Sequence, residues 1–132
     1  MYDLPPIPHS LPQAIARQEG WYLPEQDNPR CHRNHNPGNI RMGNFARSFG
    51  AVNKDNLGFA IFPDDRSGWM CLHGLLLEPE YYPLSLHDAI FRYAPPVENA
   101  SNTYLENVCS WTRSKETDLV SEVFARVPFT LQ

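Results

Sequence analysis

Lysine is nearly missing from this sequence. Only Lys54 and Lys115 represent it; the other nine of the 11 basic residues are Arg, and 15 acidic residues outnumber them for a net charge of −4. No basic patch is readable, so the electrostatic footprint of a nucleic-acid partner is missing. Cysteine is scarce too. Cys31, Cys71 and Cys109 are widely spaced and odd in number, which fits reduced thiols better than a disulfide framework. No apolar run approaches the ~18 residues of a membrane-spanning helix. The opening Met1-Tyr2-Asp3-Leu4-Pro5-Pro6 has neither the basic nor the apolar region of a secretory signal. The expectation is a chain made in the cytoplasm without a signal peptide.

Proline, by contrast, is abundant. Thirteen in 132 residues is about twice the usual ~5%, and these prolines cut the chain into pieces too short for long helices. The length corresponds to one domain, and 42% apolar residues suffice for one core. Residues 1–9 read as a Pro-rich arm, extended on the surface; residues 10–132 read as the domain. Ser10 is placed to cap a helix, with Gln13 as capping-box partner and Pro12 in the first turn. Leu11, Ala14, Ile15 and Gln18 follow helical spacing, and Gly20 ends the run. The first helix is therefore expected over residues 11–19.

Residues 20–58 are rich in Gly, Pro, Asn and Asp and predict loops with short strands. Segments 39–42 and 58–62 are the strand candidates, and they suggest a small hairpin. A second helix opens at Pro63-Asp64-Asp65 with the stripe Trp69, Leu72, His73 and Leu76; Gly68 and Gly74 inside it imply close packing. A third, capped by Ser85 with Asp88, carries Leu86, Ala89, Ile90, Tyr93 and Ala94 up to Pro95-Pro96. A fourth starts near Ser101 or Asn102 and buries Tyr104, Leu105, Val108 and Trp111. A fifth, capped by Thr117, presents Leu119, Val120, Val123, Phe124 and Val127. The fold class is mainly α (α+β), with a small irregular β element after the first helix.

Glu19 stands out among the ionisable residues. It lies on the apolar stripe of the first helix, four residues after Ile15, and in its last turn. Burial and the negative end of the helix dipole both disfavour a carboxylate there. Both raise its pKa, as a general acid near neutrality requires. Trp21 and Tyr22 follow directly, with aromatic faces suited to stacking on sugar rings. The competing reading is a solvent-facing helix-end Glu with Trp21 in the core.

The tract Cys31-His32-Arg33-Asn34-His35 holds metal-ligand and nucleophile types. Its spacing is too tight for a usual zinc site and no matching pair follows, so neither metal nor cofactor is expected. A Cys–His nucleophilic pair, as in a peptidoglycan amidase, is conceivable; a polar loop is the plainer reading. Cys71 and Cys109 fall on helical stripes and read as core thiols. His73 reads as packed and His87 as exposed.

Ala14-Ile15-Ala16-Arg17-Gln18-Glu19-Gly20-Trp21 resembles the start of lysozyme-like domains of phage and bacterial genomes, in which a helix ends in the catalytic Glu. Asn36-Pro37-Gly38-Asn39-Ile40-Arg41, Gly58-Phe59-Ala60-Ile61-Phe62, Gly68-Trp69, Tyr93-Ala94-Pro95-Pro96-Val97-Glu98-Asn99 and 104–108 continue the likeness in the family's order, over about residues 11–110. The Asn-rich stretch before Pro-Gly-Asn is shorter here and interrupted by His35. The resemblance implies a goose-type lysozyme or soluble lytic transglycosylase fold, with a cleft between a helical body and the β element. The substrate would be the β-1,4 glycan of peptidoglycan, and Glu19 would protonate the glycosidic oxygen. Tyr93 and Tyr104 would line the cleft near it, Asn39 would border the sugar-binding floor, and Arg41 and Glu98 would join Trp21 and Tyr22 in binding substrate. A cluster of Arg30, Arg33, Arg41 and Arg47 would face the glycan. No cofactor is implied, and a monomer acting at the cell wall or on a virion is expected.

A second carboxylate, from Asp55, Asp64, Asp65 or Glu98, would have to lie ~5 Å from Glu19 in a retaining enzyme and ~6.5–9.5 Å in an inverting one. Asp64 and Asp65 read better as helix-start residues. Transglycosylases of this superfamily work with one Glu, so none is required. The alternative function is a non-catalytic structural or wall-binding module of the same fold.

Overall fold

Ser10 starts the first helix by the reciprocal box its sequence suggests. Its Oγ accepts the Gln13 N–H, and the Gln13 side-chain oxygen accepts the Ser10 N–H at 3.1 Å. Helix α1 (Leu11–Glu19) stops at Gly20, whose φ of 103° is left-handed, a conformation open to Gly at little cost. The computed structural model describes residues 3–97 and 99–131. After α1 come a 3-10 turn (Glu25–Asp27) and helices α2 (Arg30–Arg33) and α3 (Asn44–Ser48). Strands β1 (Asn53–Lys54) and β2 (Ala60–Ile61) follow, then helices α4 (Asp65–Leu76), α5 (Leu86–Tyr93), α6 (Ser101–Thr112) and α7 (Val120–Arg126). The protein is mainly helical with one small antiparallel sheet.

Five helices share the main core. Leu11 and Ile15 of α1 meet Leu72 and Leu76 of α4, Leu86 and Ile90 of α5, Leu105 and Val108 of α6, and Val120 and Val123 of α7. Each buried Leu, Ile or Val contributes about 1.5–3 kcal/mol, far more than helix propensity supplies to segments this short. Helix α1 packs on α6, α4 and α7, and α6 packs on α5 as well. A second, smaller core of Ala46, Ala51, Ala60, Phe62 and Cys71 seats α3 and the β element on α4. No described helix is long and apolar enough to cross a membrane.

Three expectations need correction. The strand over 39–42 reduces to one bridge, Arg41 with Phe59, because Asn39 at φ 47° breaks the extended run. Its neighbours still bond the hairpin: Ala60 N–H to Ile40 O and Met42 N–H to Gly58 O, both 2.9 Å. The true partner of β2 is β1, with Asn53 opposite Ile61 and Lys54 opposite Ala60. The last helix starts three residues after Thr117. Asp118 accepts the Lys115 N–H at 2.9 Å in a tight turn, and Leu119 is extended, bridged to Ser85 and 39% exposed. Finally, the Pro-rich arm is exposed over most of residues 3–8, and the correction is confined to its last residue, His9, which is buried. Its N–H donates to Trp111 O at 2.7 Å, and its ring meets Pro6 O and Arg17.

Helix α4 crosses the segment 35–37 at backbone distance, and Gly68 is the crossing point. A Cβ there would overlap the His35 carbonyl and lie 2.8 Å from Pro37 Cδ. Backbone cannot step aside as a flexible side chain can. Gly68→Ala should therefore destabilise the protein by about 3 kcal/mol, read from urea unfolding midpoints. Gly43→Ala, at a site with nothing within 4 Å of the added methyl, should change stability by less than about 0.5 kcal/mol. Equal effects of the two would refute the crossing argument.

Candidate active site

The last turn of α1 delivers Glu19 to a cleft of about 590 Å³. Around it stand Gly38, Asn39, Ile40, Arg41 and Phe59 from the β side, and Leu75, Tyr81, Arg92, Tyr93, Ala94, Pro95 and Asn99 from the helical side. Among the described lining residues Glu19 is the only carboxylic acid. Each of its oxygens has one donor. Asn39 Nδ2 donates to Oε1 at 2.9 Å, and the Tyr104 hydroxyl donates to Oε2 at 2.7 Å. Burial raises the Glu19 pKa, and the two donors only partly offset it. The negative end of the α1 dipole opposes its charge further. The result is a carboxyl biased to hold its proton, with polar groups fixing its direction.

The groups behind Glu19 are anchored as firmly. Tyr104 is 4% exposed on α6, and burial with the nearby Glu19 charge pushes its phenol well above the usual range. It therefore stays protonated and can donate to the carboxylate or accept from the carboxylic acid. Tyr93 on α5 sends its hydroxyl to Gly38 O, and its ring lies 6.5 Å from that of Tyr104. Asn107 of α6 donates to the Gln18 side chain at 2.8 Å, bracing the end of α1.

Asn39 reaches Glu19 because the turn before it is rigid. Asn39 N–H bonds Asn36 O at 3.0 Å, closing Asn36-Pro37-Gly38-Asn39. The Asn36 side chain is fully buried and used throughout: Nδ2 donates to Ile40 O and Ala60 O at 2.9 Å, and Oδ1 accepts the Ile40 N–H at 3.0 Å. A tight turn, as Pro-Gly suggests, is present; its fixation by Asn36 is the added fact.

Glu19, Asn39, Arg41 and Tyr93 thus meet on one cleft, with Tyr104 directly behind. Trp21 does not join them. It is 1% exposed, stacked on His32 at 4.1 Å and edge-on to Trp69 at 5.6 Å, because Gly20 turns the chain under α1. Tyr22 packs against the same buried cluster and does not line the cleft; burial pushes its pKa to about 12. The Trp21 ring is therefore not available to stack on a sugar, while Tyr22 is half-buried beside it. Glu98 lies outside the described residues. Of the expected Arg cluster only Arg41 lines the cleft; Arg30 pairs with Asp55 at 3.0 Å, Arg33 donates to Asn28 O and Arg47 to Asn44.

The other candidates have structural employment. Burial works against the Asp55 charge, yet bonds from Asn34, the Phe59 and Leu57 N–H groups and Arg30 hold its carboxyl at about 2. Asp64 caps α4 by accepting the Ser67 N–H at 2.8 Å, and Asp65 pairs with His35 at 2.7 Å. The tract 31–35 is no loop but helix α2 and its end. Cys31 is buried within it, its thiol pushed to about 12 chiefly by burial, which removes the thiolate a nucleophile needs. His32 bonds Trp21 O, and His35 points to Asp65. Cys71 is buried, whereas Cys109 is only partly so. Sequence reasoning missed Tyr81 and Arg92 as cleft residues; Arg92 adjoins Tyr93, and Tyr81 precedes a proline stop, but neither position announces a wall.

Raised pKa carries a stability consequence. The stabilisation from burying Glu19 neutral is full below its unfolded pKa and is lost as pH rises through the folded one. Glu19→Gln, uncharged throughout, should melt above wild type near about pH 7 and lose that advantage near about pH 4. Thermal melts across a pH series measure it, and a pH-independent gap would contradict a raised Glu19 pKa. In comparison with known proteins, no family model, curated protein or solved structure matches the chain.

Proposed function

We propose that this protein cleaves the β-1,4 glycan strand of peptidoglycan, as a lysozyme-like muramidase or lytic transglycosylase with Glu19 as general acid. The observation that carries the reading is the Glu19 carboxyl. It is raised in pKa by burial, oriented by Asn39 and Tyr104, and open to a cleft of about 590 Å³. The ordered likeness of residues 11–110 to lysozyme-like domains supports the same assignment. Of the two routes, the one-acid route of the transglycosylases uses Glu19 alone among the described cleft residues.

In that route Glu19 gives its proton to the glycosidic oxygen as the bond from that oxygen to the anomeric carbon breaks. The sugar's own 6-hydroxyl then attacks the anomeric carbon and returns a proton to the Glu19 carboxylate. The products are a free 4-hydroxyl end and a 1,6-anhydro end, and the acid is regenerated. Asn39 and Tyr104 stabilise the carboxylate formed between the two steps, since charge-assisted hydrogen bonds are about twice as strong as neutral ones.

Digestion of purified peptidoglycan, with products weighed by mass spectrometry, tests the reading. Wild type should release anhydro-muropeptides, and Glu19→Gln should lose about 10²–10⁴-fold in rate while staying folded. Hydrated ends lost in the variant would favour a muramidase instead. Undiminished products from Glu19→Gln, or none from wild type, would end the proposal.

A second variant probes the bracket. Tyr104→Phe removes a donor that lowers the Glu19 pKa. Because the acid works protonated, the alkaline limb of the rate profile should move to higher pH. An unmoved limb would detach Tyr104 from the acid's titration.

A further inference from the structure

The N-terminal arm is joined to the helices at His9. Among the described residues, the hydrogen bonds from residues 3–9 to α1 and α6 are made by this one residue. Its N–H donates to Trp111 O of α6 at 2.7 Å, and its ring lies between Pro6 O and the Arg17 guanidinium of α1. The two ring contacts fix one protonation state. Pro6 O can only accept, so Nδ1, 3.0 Å away, carries the proton. Arg17 Nη1 can only donate, so Nε2, 3.3 Å away, is the bare nitrogen that accepts. A second proton on Nε2 would point two donors at each other and set two cations side by side, at a residue only 1% exposed.

The surroundings supply no anion to offset that charge. The charged group facing the ring from α1 is Arg17. Helix α6 presents Trp111, whose ring centroid lies 4.1 Å from Arg17 Cζ and 6.4 Å from the tilted His9 ring. Asp3, the other described ionisable residue of the arm, is exposed. Burial first, and the Arg17 charge with it, outweigh the Pro6 bond and hold the imidazole pKa below the usual histidine value.

We propose that His9 is an acid-sensitive latch, which when neutral holds the N-terminal arm on α1 and α6 and when protonated releases it. The inference is independent of the chemistry of the cleft. The free arm takes up a proton more readily than the docked one. Docking is therefore at full strength above about pH 6.5 and weakens by up to about tenfold per pH unit below it, until the docked ring protonates too. The opening stops at Ser10. The reciprocal box of Ser10 and Gln13 lies at the start of α1 and uses no part of the arm. Release thus frees the arm up to His9 and uncovers the Arg17–Trp111 stack without unwinding the helix.

Nuclear magnetic resonance on the full chain across a pH series tests the latch. Long-range proton–nitrogen correlation should show His9 as the Nδ1-protonated tautomer at about pH 7.5. Backbone order parameters of Ile7 and His9 should fall from about 0.85 to below about 0.6 as the ring gains its second proton, near about pH 5. Helical circular dichroism should persist over the same range. His9→Gln, which titrates nowhere in it, should show an arm mobility independent of pH, at whatever level. Arg17→Gln removes the opposing cation and keeps a donor. It should raise the ring's titration toward about pH 6.5 and flatten the mobility profile. An arm mobile at every pH, an arm still ordered around a protonated ring, or a neutral ring with its proton on Nε2 would overturn the inference. So would an acid response shared by His9→Gln, or a loss of helical signal in step with the arm.

Discussion

The side-chain amide of Asn36 is the tie on which the cleft depends. It is fully buried, and its three hydrogen bonds join the turn at 36–40 to the backbone of β2. Every other joint at this place uses the turn so fixed. Helix α4 presses Gly68 against its entry, Tyr93 of α5 bonds Gly38, and Asn39 reaches Glu19 at the end of α1. Three helices and the β element therefore meet on about five residues of irregular chain. Buried amides are tolerated when all their partners are present and become costly when any is removed. Asn36 touches no cleft residue through its charge or reactivity, yet it decides where the floor stands.

The electrostatics of Glu19 follow from that placement. A carboxyl at a helix C-terminus and under cover is an unfavourable ion, and the two donors the fold supplies offset only part of that burial. Asp55 shows the opposite design on the same chain: an Asn amide, two backbone N–H groups and an Arg keep it ionised. Two acids in one small protein are thus shifted in opposite directions, Glu19 up and Asp55 down, by burial and by the donors around them. Partial satisfaction at one position, beside full satisfaction at another, is the pattern expected where a group must exchange a proton.

Local features were readable before the fold was known. Ser10 and Gln13, Gly20, Asp64 and Ser85 announce helix ends through chemistry confined to four residues. The apolar stripes of α1, α4 and α5 follow from spacing alone. What spacing does not contain is which face meets which. Trp21 was expected at the sugar site because a solvent-facing and a buried aromatic look alike in sequence; the turn at Gly20 settles it inward, against His32 and Trp69. Strand β1 has two exposed polar residues and no alternation, so nothing marked Asn53 and Lys54 as the partner of β2. Tyr81 and Arg92 become a wall only through the packing of the α4–α5 connection on the cleft, a fact of tertiary contact. The tract at Cys31 misled for the same reason, since helix α2 is too short to show a period.

The hydrogen bond from Tyr104 to Glu19 joins residues 85 positions apart. The carboxyl and its hydroxyl are therefore neighbours only while α1 and α6 are docked, and neither helix can assemble the pair alone. A partial opening that lifts α6 from α1 would dismantle the acid while most helical turns persist. Chemistry at Glu19 is in this sense a gauge of cooperativity: it reports whether two helices from opposite ends of the chain have found each other, and it goes silent before the secondary structure does.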